Sequence, residues 1–451
     1  MKVEDVERIH DASLRILDEI GVRLEHDGIV ERLRAGGARA GGGPHDVRLP
    51  PEMVREHLAL APRKVALAAR DGSTTVLEPE SETVFWTTPV LYLWTGTERR
   101  PVTSADLLSI ARLSDRLEAV QGVMGVAMAD VPPLHRDFVG LRVIAEGTRK
   151  HARVLCFSPR GMDALVRMKP VFPGPWFSIG FTAHGPLRWT NLALEVFARS
   201  AGHGIPATVN GEPMAGASAP VTLAGAFAVG NAEILAGIVV NQLLEPGRPV
   251  VYNLGLGHVL DMRRATAVTG GPENALFARA SAALGRFYGL PSSSWVSTES
   301  VFEDEQAALE TMFGLVTHVQ EGVSLVWGLG QLESEMTLSL AQLVIDDEMV
   351  AYVRRHRRGF EVDDEALALD VVRSVGITGS YLGADHTLEH HRRELFSPRL
   401  LNRRARNACP GSLPEVAAAQ ARDLLGREVE PTMTDQERQS LLAVERAFAE
   451  E

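Results

Sequence analysis

From about residue 120 onward, short apolar runs alternate with longer segments in which apolar positions recur every three or four residues. The runs, at 120–129, 152–157, 176–182, 205–210, 250–255, 293–297, 324–330 and 379–383, have the length and β-branched content of strands buried on both faces. The segments between them, at 137–148, 161–171, 190–202, 222–244, 272–288, 304–320 and 338–356, have the helical period. Eight strands, each separated from the next by a helix, predict an α/β fold, a (β/α)8 TIM barrel. A doubly wound sheet competes, but its glycine fingerprint is incomplete: Gly255-Leu-Gly257 and Gly328-Leu-Gly330 each lack the third glycine. Ahead of the barrel, Val6, Ile9, Leu14 and Leu17 form one stripe of an amphipathic helix over 3–20, and a second short helix spans 26–35. A Gly/Pro-rich linker at 36–46 leads into a β-leaning region up to Val102, with alternating apolar residues and a short helix at 51–59. Thr103 or Ser104 caps the next helix, and closing helices are expected at 412–425 and 434–449. This divides the chain into an N-terminal layer of helices and small strands (1–102), the barrel (103–400) and a C-terminal helical extension (401–451).

One stretch, 210–244, carries the pattern most plainly. A short strand exits into a Gly/Ala loop and then into a helix so dense in Ala, Gly, Leu, Ile and Val that little of it can face water. The loop after such a strand is where barrels place chemistry, while the helix reads as outer-layer packing.

Apolar residues make up 45% of the 451, enough for a large core, and with a net charge of −12 no basic cluster of the kind that neutralises phosphates is expected, which argues against nucleic acid or anionic membranes as partners. Two cysteines, Cys156 and Cys409, exclude a disulfide framework and suit a reducing cytoplasm. The N-terminus lacks the pattern of a signal peptide, and no run reaches 18 apolar residues, so a cytoplasmic protein that neither spans a membrane nor binds one is expected.

In a barrel the active site lies at the C-terminal ends of the strands. Those ends carry Asp130, His184, Asn210, Glu212, His258, Glu299, Gln331, Glu333, Asp385 and His386. Some of these will be solvated loop residues or helix caps. Glu212 and Glu299 stand out because each directly follows an apolar strand, where ionisation without a purpose is costly. His386-Thr-Leu-Glu389-His390 fits the H-x-x-E-H zinc pattern, but no third ligand follows on anything except expected surface helices. Aromatic residues are scarce at 6%, yet Phe85, Trp86, Tyr92 and Trp94 cluster before the barrel, and Trp176, Trp189, Trp295 and Trp327 sit on or after its strands. Aromatic faces attract quaternary ammonium ions, although core packing accounts for most tryptophans taken singly.

The segments PVTLAGA, NAEILAGIVVNQLL, PGRPVVY, QLVIDDEMV and HTLEHHRRELFSPRLLNR, with GPLRW and the opening IHDASLRILDEIGVRL, resemble the trimethylamine methyltransferase family of corrinoid-dependent methyltransferases nearly end to end. The resemblance implies a (β/α)8 barrel with extensions. It also implies transfer of a methyl group from an amine to the cobalt of a cobalamin-type corrinoid carried by a separate small protein. Trimethylamine-specific members contain pyrrolysine, whereas this chain has only standard residues. The resemblance therefore points to the non-pyrrolysine branch, which includes enzymes acting on quaternary amines such as glycine betaine. On strand-end position, Glu212, Glu299 and His386 are expected to line the mouth as catalytic groups. Trp86, Tyr92 and Trp327 are candidates to cage the cationic nitrogen, with His258 or Gln331 holding a substrate carboxylate or a corrinoid edge. The alternatives are a barrel of this family's shape acting on another methylated small molecule, with or without a corrinoid, a non-catalytic binding homologue, and a zinc hydrolase. A homo-oligomer is expected from the apolar helix set.

Overall fold

The computed structural model describes residues 1–428 and 430–449. Eight parallel strands close into a barrel: β1 (Val84–Thr87), β2 (Val120–Met124), β3 (His151–Arg153), β4 (Phe177–Thr182), β5 (Ala207–Asn210), β6 (Val250–Gly255), β7 (Ser292–Trp295) and β8 (Leu325–Leu329). Each is followed by an outer helix: α1 (Ser104–Arg116), α2 (Arg136–Gly147), α3 (Pro159–Met168), α4 (Asn191–Ser200), α5 (Leu223–Leu244), α6 (Pro272–Tyr288), α7 (Glu305–Glu321) and α8 (Leu340–Arg358). The ring closes where Leu325 and Val326 of β8 pair with Val84 and Phe85 of β1.

Two points correct the sequence expectation. The first barrel strand is Val84–Thr87, inside the segment assigned to the N-terminal layer. The expected last strand, 379–383, is not a strand at all. The barrel therefore begins before residue 103 and closes with α8 at Arg358, well before residue 400. The physical reason lies in the connection between β1 and α1. The chain does not pass directly from strand to helix but first builds a hairpin, Tyr92–Trp94 with Arg99–Pro101, so a parallel strand imitates one more member of an antiparallel layer. At the other end Ile377 and Leu382 are exposed, so the apolar run there buries nothing.

Both ends of the barrel are furnished. A hairpin, Val65–Ala68 with Thr74–Leu77, closes the N-terminal end and packs Val65, Leu67 and Leu77 against the lumen residues Trp86 and Leu325. At the C-terminal end two small sheets frame the mouth. One joins Tyr92–Trp94 and Arg99–Pro101 to Gln331–Leu332 and Thr337–Ser339; the other joins Met214–Ala215 to His258–Asp261 and Thr266–Val268. Outside, Leu413–Gly426 packs on α8 and α1, and Asp435–Ala449 packs on α2 and α3.

Helix α5 is apolar all round, and by length and composition alone it could cross a membrane; 78% of its most apolar window is buried inside the protein. Its outer face is covered by the N-terminal helices Val3–Arg15 and Pro51–Leu60. The buried Ser13 hydroxyl donates to the Ala228 carbonyl and accepts from the Asn231 amide, and Asn231 also binds the Tyr252 and Tyr288 hydroxyls. The inner face meets the barrel so closely that a side chain at Gly237 would overlap the Trp189 ring and Val209. Gly237→Val is expected to destabilise the fold by about 2 kcal/mol or more through overpacking, read as a lowered denaturant midpoint.

Candidate active site

Alternation along the strands divides the lumen into two unlike halves. On one wall, β3 to β6 turn in polar groups: His151, Arg153, Ser178, Thr182, Thr208, Asn210 and Asn253. On the other wall, Trp295 of β7, Trp327 of β8 and Trp86 of β1 form one buried cluster with Met124, Val251 and Leu325.

The polar wall is hydrogen-bonded in layers. His151 lies between the Ala68 carbonyl and the Ser178 hydroxyl, stacks on Trp86 with ring centroids 5.5 Å apart, and is held neutral because burial pushes its pKa down to about 3. The Arg153 guanidinium donates to the Ile179 carbonyl and to Thr208 Oγ1 at 3.0 Å. Nearer the mouth, the Asn253 amide donates to Asn210 Oδ1 at 2.8 Å and the Asn210 amide to Thr182 Oγ1 at 3.0 Å. The aromatic wall is less satisfied. Among the described residues the buried indole N–H groups of Trp295 and Trp327 have no hydrogen-bond partner, and neither has Gln331 Oε1.

At the mouth three carboxyl groups gather. Glu212, two residues beyond Asn210 on the inward-facing row of β5, is reached by solvent through the mouth. The protein around it still raises its pKa, while His258 and His184 pull the other way. Glu335 is raised well above the usual range by burial and then by the charge of Glu212. Glu233, on α5 behind them, accepts from the Leu187 N–H at 2.8 Å and is pushed up to about 7 by burial, with Glu212 adding to the shift. His258 donates from Nδ1 to the Leu256 carbonyl at 3.1 Å, which leaves Nε2 for another partner.

Glu335 owes its place to an unusual hairpin. Glu333, Ser334 and Glu335 all have positive φ, at 58°, 51° and 70°, the left-handed region that side chains disfavour by about 1–2 kcal/mol per residue. Bonds from outside hold the turn: Glu333 N–H to the Ser300 carbonyl at 2.7 Å, Ser334 N–H to the Thr298 carbonyl at 2.8 Å, and Arg99 to the Glu333 carboxylate at 2.6 Å.

The residues expected from the sequence fall into three groups. Glu212, His258, Trp86, Trp327 and Gln331 lie in the lumen or at its mouth, with Gln331 Nε2 tied to the Val296 carbonyl at 2.9 Å. Glu299 and Tyr92 are at the rim but already engaged. One oxygen of Glu299 accepts from both N–H groups of Thr269 and Gly270 and from the Thr269 hydroxyl, clamping that loop. The Tyr92 ring carries the Arg99 guanidinium 3.5 Å from its centroid, so that face is closed to a second cation. His386 lies elsewhere, on the helix Asp385–Glu394, which packs through Glu394 and Arg393 on the far end of α8. Its ring lies 4.2 Å from that of His390 at an angle of 32°, and His390 leans on Glu365 at 3.6 Å. Among the described residues no group of three donors that could hold a metal forms there.

The trimethylamine methyltransferase (MTTB) family profile matches residues 1–449. The chain belongs to the trimethylamine methyltransferase family. Within that family it is 31% identical over 412 residues to trimethylamine methyltransferase MttB of Desulfitobacterium hafniense (strain DSM 10664 / DCB-2), which covers 86% of this chain and 81% of that protein. It is 30% identical over 423 residues to the glycine betaine methyltransferase of Desulfitobacterium hafniense (strain Y51), covering 89% and 86%. The Methanosarcina barkeri monomethylamine methyltransferase (MtmB) superposes over 99% of this chain and 86% of its own with a TM-score of 0.55 at 13% identity, a likeness of fold. As a trimethylamine methyltransferase family member the chain is a methyltransferase.

Sequence reasoning missed Glu335, Glu233 and Arg153. Glu335 lies in a hairpin turn whose backbone conformation no glycine within it announces, and Glu233 sits in the middle of the most apolar helix. Arg153 had a signal: a lone arginine in the apolar strand HARVL, where a charge is costly without a partner.

Proposed function

We propose that this chain moves a methyl group from a quaternary amine to the Co(I) of a corrinoid carried by a separate small protein. The observation that carries the reading is the pairing of Glu212 and Glu335 at the mouth above three lumen tryptophans. Two carboxyl groups that burial shifts upward, one of them raised further by the charge of the other, are a ready partner for a cation, and aromatic faces in the lumen attract quaternary nitrogen without hydrogen bonds.

The corrinoid supplies the nucleophile and accepts the methyl group, and a carrier protein can present it only from the open mouth. The chain's own residues position the substrate. In the transfer the carbon–nitrogen bond breaks, its electron pair stays on nitrogen, and a neutral tertiary amine leaves. No proton has to be delivered, so the site needs orientation and charge rather than a general acid. A tertiary amine would first have to be activated, and the chain contains only standard residues. Glu299 holds the rim loop that borders the mouth, a positioning role. In a second reading the chain binds such a cation without turnover; stabilisation by ligand with no methyl transfer favours it.

The test is to add purified protein to cob(I)alamin with a panel of quaternary amines and trimethylamine and to follow the spectrum for methylcobalamin. Formation above the free-cofactor rate is expected with at least one quaternary amine and not with trimethylamine. A panel that gives only background overturns the reading.

A further inference from the structure

Arg153 is 4% exposed, and no described carboxylate pairs with it. The ionisable group that acts on it is the Cys156 thiol, which burial keeps neutral. A guanidinium in such a place is costly unless something anionic joins it. The lumen makes deliberate room for it: a side chain at Gly180 would occupy the space of its Nη atoms. Across the lumen stand two donors without a partner among the described residues, the indole N–H groups of Trp295 and Trp327, both 3% exposed and paired in register on adjacent strands. In the ring order β3 and β7 are four strands apart, so they face each other across the barrel. An eight-stranded barrel is only wide enough for side chains to fill, so the guanidinium held on Ile179 and Thr208 and the two indoles opposite border the same narrow lumen.

Resting on the quaternary-amine reading above, we propose that Arg153 and the indole N–H groups of Trp295 and Trp327 form an anion site. It takes the carboxylate of a short zwitterionic amine and holds its ammonium end at Glu212 and Glu335. The polarity of the barrel runs the right way for this, with an unpaired cation and two donors inside and two carboxyl groups at the mouth. The spacing suits it as well. Thr208, which binds Arg153, and Glu212 lie four residues apart on one inward-facing row, about 13 Å of extended chain at roughly 3.3 Å per residue. Strands tilted by about 36° reduce this to about 11 Å along the axis. A carboxylate and a quaternary nitrogen two bonds apart, with hydrogen bonds below and cation contacts above, span that distance. The methyl groups then point out of the mouth, toward any acceptor that arrives there.

The experiment compares dissociation constants of glycine betaine and choline, which share the trimethylammonium group and differ in the carboxylate, by calorimetric titration. Glycine betaine is expected to bind at least about 30-fold more tightly than choline, as befits a charge meeting its hydrogen-bonded partner. In Arg153→Met the ratio should fall to about 3 or less, while the ligand-free protein melts at or above the parent's temperature because a buried unpaired charge has been removed. Trp327→Phe, which deletes one donor and keeps an aromatic ring, should lower the ratio by a smaller factor and serves if the arginine variant fails to fold. A parent ratio near one overturns the proposal; so does a ratio unchanged in both variants, or no binding of glycine betaine at about 50 mM. Failure of methyl transfer is a separate result. A carboxylate preference that follows Arg153 without methylcobalamin formation retains the anion site and removes the transfer reaction. Equal methylation of both ligands does the reverse.

Discussion

Glu212→Gln is expected to raise KM for a quaternary-amine substrate about 10- to 100-fold while kcat stays within a few-fold. Positive charge on nitrogen is greatest in the bound substrate and fades as the carbon–nitrogen bond breaks. A carboxylate beside it therefore stabilises the ground state at least as much as the transition state, and its loss appears in binding. Solvent reaches Glu212 through the mouth and screens the attraction, so the effect stays well below that of a buried ion pair. The pH dependence sharpens the expectation. Glu212 and Glu335 both have raised pKa values, so proton binding competes with a bound cation, and affinity should increase as pH rises. Glutamine at 212 removes the charge that helps raise Glu335, and the acid limb of the KM profile should move to lower pH. Steady-state kinetics across pH checks both statements; an unchanged KM would remove Glu212 from the cation site.

The folded protein is expected to be more stable near pH 5–6 than at pH 8, by about 3 kcal/mol. Asp137, Glu233 and Asp346 are buried, and burial raises each to about 7. For a carboxyl group raised on folding, the folded state holds its proton in a range where the unfolded chain has lost it. Stability therefore falls as pH rises from about 4 toward 7 and is level beyond. His151 and His318 act in the opposite sense. Burial lowers them to about 3 and about 4, so they withdraw stability as pH falls below the ordinary histidine value of about 6.5. Between pH 7 and 6.5 only the three acids act; below that, three acids still outweigh two histidines. The result is an optimum in weak acid. Asp137 accepts from the N–H groups of Phe157 and Ser158 through one oxygen and leaves the other unpaired, so Asp137→Asn can keep both bonds. It should take away about one third of the acid contribution and raise the melting temperature at pH 8. Scanning calorimetry from pH 5 to 8.5 reads this directly, and a melting temperature that does not vary over that range would contradict the assignment of the three carboxyl groups.

Seven of the barrel strands were legible because each pairs an apolar run with a helical period directly after it. Val84–Thr87 escaped because a hairpin stands between it and its helix, and hydrophobic patterning is blind to the direction in which a strand's neighbours run. Glu212 was legible from position alone: it is the first charged residue beyond a buried strand, and parity with Asn210 turns it inward. Glu299 passes the same test, yet its carboxylate is spent on Thr269 and Gly270, and sequence cannot see a partner thirty residues away. The placing of His386 at the mouth followed from a strand that does not exist. Glu335 required knowledge of three left-handed residues in succession, which only tertiary bonds to Ser300 and Thr298 sustain.

The covering of α5 also has a meaning in time. Val3–Arg15 and Pro51–Leu60 precede α5 in the chain, so they leave the ribosome before the segment most able to be mistaken for a membrane span. The order of synthesis delivers the shield ahead of the surface it protects. A nascent chain that has reached Leu244 already carries both helices that cover the outer face of α5, while Tyr252 and Tyr288, which bind Asn231, follow later.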